Sequence, residues 1–226
     1  MASLLGRITR RISSELAASL GVWIRRVDGT IAKRTLPQFA NKPRNLTIEL
    51  PRRISNPKSI VIGDDVWLGP NSFLSAVMEY PGLAILPGER RIPTRKFTPR
   101  ICIGHRVTCT GSLLIGAVQD VMIEDDVLIA SNVTILDHQH GYQNASEPYK
   151  YQPLGRIAPV LIRRGTWIGQ NVVILSGVTI GELAIIGANS VVTHSIPDRC
   201  IAVGAPAKVT KRWDEQTQNW ISSRDG

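Results

Sequence analysis

IRRGTW–IGQNVV–ILSGVT–IGELAI–IGANSV–VTHSIP, residues 162–197, repeats with a period of six. An aliphatic residue opens every block: Ile162, Ile168, Ile174, Ile180, Ile186 and Val192. A small or β-branched residue takes the fifth place in five of them: Thr166, Val172, Val178, Ala184 and Ser190. The sixth block departs with Ile196 followed by Pro197, as a terminating block would. Neither the 3.6-residue period of a helix nor the alternation of a strand generates a strict six. A polygonal coil does. Each block is then a short strand and a turn, with its opening residue pointing inward. One such residue cannot bury itself alone, so successive coils must stack.

The same phase recurs upstream. IGDDVW and LGPNSF cover residues 62–73, IGHRVT opens at Ile103, and IEDDVL and IASNVT cover residues 123–134. Glycine often follows the aliphatic residue, as at Gly63, Gly69, Gly104, Gly169, Gly181 and Gly187. A side chain there would crowd the turn. Two interruptions break the array. Residues 76–100 hold Pro81, Pro87, Pro93 and Pro99 with Arg90, Arg91, Arg95, Lys96 and Arg100. So many prolines predict neither a regular strand nor a helix. The second interruption covers residues 137–159. Long loops on a rigid scaffold are where sites concentrate.

Composition agrees with an aliphatic, regularly packed core: 43% of the 226 residues are hydrophobic but only 5% aromatic. The net charge of +9 raises the question of nucleic acid. No aromatic interleaving or DNA-reading motif accompanies it, so no nucleic-acid partner is expected. Cys102, Cys109 and Cys200 have no CxxC spacing and read as buried small hydrophobes rather than as disulfide or zinc ligands. No apolar run is long enough to span a bilayer, and the start lacks a leader pattern, so the expected location is the cytoplasm. Ser3 to Leu20 reads as an amphipathic helix with Leu5, Ile8, Ile12, Leu16 and Leu20 on one face and Arg7, Arg10 and Arg11 near the other. Such a helix either caps the coil stack or gives peripheral contact with the inner face of an anionic membrane. The domain reading is therefore residues 1–40 as helix and linker, 41–206 as the coil, and 207–226 as an arm. Lys208 to Trp220 is expected to form either a short terminal helix or an arm.

Of four histidines, His105 and His194 fall at third places of blocks and should face solvent. His138 and His140 lie in DHQHGY, where the chain leaves the coil. A histidine at the root of a loop titrates near neutrality and can move a proton. Neither Cys109 nor any serine sits in a recognisable nucleophile–base motif, so direct transfer without an acyl-enzyme is expected.

From Ile101 to Trp220 the chain resembles the galactoside, maltose and polysaccharide O-acetyltransferases. The matching words are IASNVTILDHQH, APVLIRRGTWIGQNVVILSGVTIG, IIGANSVVTHSIP and IAVGAPAKV. The flanks FTPRICIG and WDEQTQNW are most similar to the polysaccharide and lipopolysaccharide branch. The resemblance implies an all-β fold, a left-handed parallel β-helix of three blocks per coil, and an acetyl-CoA-dependent enzyme acting on a saccharide. It also implies a homotrimer with CoA held between neighbouring subunits. Registering SNVT on the family strand places His140 at the catalytic position, with His138 as runner-up or as a residue shaping the acceptor pocket. The cofactor-binding candidates carried over are Trp167, Gln170, Ala188, Thr193 and Lys208. A gapless match puts Thr110 and Val118 where galactoside enzymes place an Asn and an Asp. A simple galactoside acceptor is therefore not expected. Two rivals on the same fold are a non-catalytic β-helix scaffold and a zinc carbonic anhydrase drawing on His105, His138 and His140, although the spacing does not fit the latter.

Overall fold

The computed structural model describes residues 19–20, 27–81 and 92–223. The chain divides into two compact units, Met1–Leu36 and Pro37–Gly226. In the first, residues 19–20 and 27–34 are helical. Most of the expected Ser3 to Leu20 helix lies outside the described residues. None of the described helices is long and apolar enough to cross a membrane.

The second unit is a left-handed parallel β-helix with three faces. Face one stacks Thr47–Ile48, Trp67–Leu68, Thr108–Cys109, Leu128–Ile129, Trp167–Ile168, Ile185–Ile186 and Cys200–Gly204. Face two stacks Arg52–Ser55, Ser72–Ala76, Leu114–Ala117, Thr134–Leu136, Val173–Ile174 and Val191–Val192. Face three stacks Ile60–Ile62, Arg100–Ile103, Asp120–Ile123, Val160–Ile162 and Thr179–Ile180. The chain visits the faces in that order, coil after coil, and every stacked pair is parallel.

Register follows from the six-residue period. Ile129 pairs with Ile168 and Ile168 with Ile186, while Ile135 pairs with Ile174 and Ile174 with Val192. These opening residues line the axis with no exposed surface. The fifth places are inward too: Thr166, Val172, Ala184 and Ser190 are fully buried. Where that place is polar the hydroxyl must be satisfied, and Thr166 Oγ1 donates to the Arg163 carbonyl at 2.7 Å.

Two different devices turn the corners. The second-place glycine avoids the neighbouring coil: a Cβ on Gly181 would lie 2.3 Å from the Asp198 backbone nitrogen, and one on Gly69 would lie 2.4 Å from the Thr110 carbonyl oxygen. The left-handed backbone sits two residues later, at the fourth place. Asn71, Asn132, Asn171 and Asn189 all have φ between 58° and 67° there. Asparagine tolerates that region better than most side chains. Asn132 Nδ2 donates to Asn171 Oδ1 at 3.0 Å, and Asn171 Nδ2 to Asn189 Oδ1 at 2.9 Å, tying three coils together along the one–two edge.

The C-terminal segment is a strand hairpin rather than a helix. Ala207–Asp214 pairs antiparallel with Cys200–Gly204, and Asn219–Ser222 pairs antiparallel with it in turn. The hairpin extends face one at its open end. Trp213 and Trp220 stand opposite each other across it, edge to face at 5.4 Å.

Candidate active site

Both insertions leave the coil at the same corner, between faces two and three. The first departs after Ser72–Ala76 and returns at Arg100–Ile103; the second departs after Thr134–Leu136 and returns at Val160–Ile162. One uninterrupted corner, Val118–Gln119, passes between them. Each insertion closes at its root into an antiparallel ladder. Glu79–Tyr80 pairs with Arg95–Lys96, a short strand pair that the proline content had argued against. His138–His140 pairs with Leu154–Ile157. Tyr80, Val118 and Leu154 form a small buried cluster, against which Val77, Ile92, Phe97 and Ile157 pack. The two insertions and the corner thus make one structure, and the histidines lie on it.

Asp137 organises its centre. Its carboxylate is fully buried and accepts from the backbone N–H of Val118 at 2.9 Å and of Gln119 at 2.7 Å. It also lies 2.8 Å from His138 Nδ1. A carboxylate only accepts, so His138 Nδ1 carries a proton and donates to Asp137. The His138 ring lies on the coil floor, with Cε1 3.5 Å from where a Cβ on Gly116 would stand.

His140 is exposed, and its Nδ1 lies 3.0 Å from the Tyr80 hydroxyl, with the rings edge to face at 5.6 Å. Burial raises the Tyr80 hydroxyl above its ordinary value, so it stays protonated near neutral pH. Gly141 follows because the ladder is narrow: a Cβ there would lie 2.3 Å from the Pro153 carbonyl oxygen. Buried Gln152 pins the outer loop, accepting from Asn144 N–H and donating to the Asn144 and Glu147 carbonyls.

The other candidates are spread around the prism. Thr193 follows Val191–Val192 at the two–three edge, further along the same edge as the histidines. Gln170 and Ala188 stand exposed at the one–two edge. Trp167 projects from face one, 49% exposed, in register with Leu128 and Ile185. Lys208 is exposed on the terminal hairpin opposite Val203. Of the two acceptor-side positions, Val118 is the buried floor of the histidine cluster, whereas Thr110 sits at the one–two edge with its hydroxyl 2.8 Å from that of Ser131. His105 lies at the three–one edge, its Nδ1 accepting from the Asp64 N–H at 2.9 Å. His194 is exposed, its Nδ1 2.8 Å from the Thr193 hydroxyl. Burial pushes the Cys109 thiol up to about 11, an inert buried thiol.

Asp137 and Tyr80 are the residues that the sequence reading missed. Asp137 had a signal, since it directly precedes the first histidine. Tyr80 had none beyond being an aromatic among prolines.

Residues 159–194 match the bacterial transferase hexapeptide family, described by six repeats. The chain is 38% identical over 112 residues to WbbJ of Escherichia coli K12, a protein named for O-acetyl transfer in lipopolysaccharide biosynthesis; the match covers 47% of this chain and 57% of that one. It is 41% identical over 164 residues to a protein of Mycobacterium tuberculosis H37Rv named as an acetyltransferase, covering 70% of this chain and 53% of that one. The chain thus spans little more than half the length of these curated relatives. Among solved structures, an N-acyltransferase from Bacillus cereus in complex with dTDP and coenzyme A has a TM-score of 0.60 at 20% identity, covering 79% of this chain and 87% of that one. At that identity the likeness is one of fold.

Proposed function

This chain carries the bacterial transferase hexapeptide repeat, and we propose that it is an acetyl-CoA-dependent O-acetyltransferase acting on a saccharide hydroxyl in cell-surface polysaccharide synthesis. One observation supports this most: two insertions meet at one edge to fix His140 against Tyr80 while leaving its ring exposed. The acetyl donor and the surface-glycan role rest on the relatives' names.

In the productive tautomer His140 Nδ1–H donates to the Tyr80 oxygen, leaving the Nε2 lone pair free. Nε2 takes the proton of the acceptor hydroxyl as its oxygen attacks the acetyl carbonyl. Backbone N–H groups hold the oxyanion, the C–S bond breaks, and the proton passes to the departing CoA thiolate. The CoA chain is assigned to Gln170, Ala188 and Thr193, with Trp167 near the thioester and Lys208 as a point charge for a phosphate.

One prism does not bring these groups together. The histidines lie on the two–three edge, and face one, which carries Trp167, is opposite that edge. Gln170 and Ala188 lie on the one–two edge. The reading therefore includes a homotrimer, in which one subunit's histidine edge meets the face and edge of the next. Peripheral membrane contact through residues 3–20 and a cytoplasmic location complete it.

A second reading is supported by Asp137. A buried carboxylate orienting a ring nitrogen is the usual support of a catalytic imidazole, and it makes His138 the alternative base.

The test is incubation with acetyl-CoA and a deacetylated surface polysaccharide. CoA thiol should appear only when glycan is present, with an alkali-labile ester on the sugar by mass spectrometry. Thiol release indifferent to every saccharide, or an alkali-stable amide product, would overturn the reading.

A further inference from the structure

The first insertion carries a cation that nothing so far employs. Tyr80 and Arg95 are directly opposed in the antiparallel ladder, so their side chains project from the same face. That face is the one that meets His140, since Tyr80 reaches it. Arg95 stacks its guanidinium 5.1 Å above the Phe97 ring, and Phe97 packs against the Tyr80–Val118–Leu154 cluster. The neighbouring pair, Glu79 and Lys96, is opposed on the other face. Among the described residues no carboxylate pairs with Arg95. Its neighbour in the chain's basic run, Arg100, is by contrast neutralised by Asp120 at 2.8 Å.

We propose that Arg95 binds an oxyanion on the acceptor, so that the saccharide presented to His140 is an anionic one. This rests on the proposed acetyl transfer for the position of the site, and it names the acceptor class. A guanidinium resting over an aromatic ring leaves N–H groups available for a second partner, and its fork geometry suits two-point recognition of a phosphate or carboxylate. The position is right for recognition rather than chemistry: the cation is on the strand beside Tyr80, not on the ring that moves the proton. Two sources share this chemistry, a sugar phosphate (nucleotide- or lipid-linked) and a uronic acid.

The experiment measures binding apart from transfer. Wild-type protein, Arg95→Ala, Arg95→Lys and His140→Ala are titrated by calorimetry with glucose 1-phosphate, UDP, glucuronate and, as the neutral control, glucose. At least one anion should bind wild type more tightly than glucose does. Arg95→Ala should weaken that binding about tenfold, the loss of one charge-assisted contact. Arg95→Lys should retain part of it, and CoA affinity should be unchanged in both. Preference for the phosphates or for glucuronate identifies the source. Binding should persist in His140→Ala even where transfer is lost, so failure of the base assignment reads out separately. No preference for any anion in wild type, or a preference that survives Arg95→Ala, overturns the proposal.

Discussion

The Tyr80 hydroxyl and His140 Nδ1, 3.0 Å apart, come from insertions sixty residues apart in the chain. If His140 is the base, this contact holds the ring in place while Nε2 works. Tyr80→Phe removes one oxygen and keeps the ring packed on Val118 and Leu154. It should lower kcat about tenfold, the scale of one lost hydrogen bond, without changing the KM for acetyl-CoA or the melting temperature. Steady-state kinetics with a melting curve check this; a rise in the acetyl-CoA KM at constant kcat would place Tyr80 in donor binding instead. The histidines could be picked out as candidates because DHQH stands where the chain leaves the coil after the block beginning at Ile135. Their support could not. A buried carboxylate taking backbone N–H groups from the next coil, as Asp137 does from Val118 and Gln119, depends on which corners stack. Local sequence does not state that.

Within a coil the period-six pattern specifies each element almost completely. The first and fifth places fill the axis, and both are readable in the repeat itself. The glycine at the second place was readable as a crowded position, but the left-handed turn belongs to the fourth. Gly181→Ala tests the crowding. Its new Cβ would meet backbone of the next coil, which cannot swing aside as a flexible side chain can. We expect a loss of about 2 kcal/mol or more in chemical denaturation, the cost of overpacking a tight site; a loss of only a few tenths would show that the coils can slide. At the three–one edge the corners carry charge. The Arg44 backbone N–H and guanidinium hold the Asp64 carboxyl below its ordinary value, and hydrogen bonding to the Arg106 guanidinium does the same for Asp126. A carboxylate whose folded value is depressed stabilises fully above its unfolded value, ordinarily 3.8, and loses that stabilisation as pH falls toward the folded value. Stability should therefore be flat from neutral pH down to that range and decline below it. Arg106→Ala should flatten part of the decline, and added salt should do likewise because these pairs are exposed. A decline that begins near pH 6 and ignores both changes would assign acid sensitivity to other groups.

At the scale of the molecule, a regular prism solves burial by repetition and confines its irregularity to one edge. Sequence showed the prism and the two interruptions. It did not show that both interruptions share an edge, because that follows from counting coils between them in three dimensions. It also did not show that four of the carried-over donor residues, Trp167, Gln170, Ala188 and Lys208, fall on other sides of the prism from the histidines, while Thr193 shares their edge. If the working site is assembled between subunits, two inactive proteins can repair each other. His140→Ala lacks the base, and Ala188→Arg obstructs the donor path on a different edge. Mixed trimers made by co-refolding the two should recover a measurable share of wild-type activity, through seams that pair one intact histidine edge with one intact donor edge. No recovery in verified mixed trimers would mean that each site lies within one chain. The central claim is that His140 moves the proton. It is tested most directly by single-turnover transfer from acetyl-CoA, comparing His140→Ala and His138→Ala with wild type while CoA affinity is measured on the same samples. The account predicts that His140→Ala loses about a thousandfold in rate, the usual contribution of a positioned base, with CoA binding intact, and that His138→Ala loses far less. A fast His140→Ala beside a dead His138→Ala would contradict it and hand the role to the histidine held by Asp137.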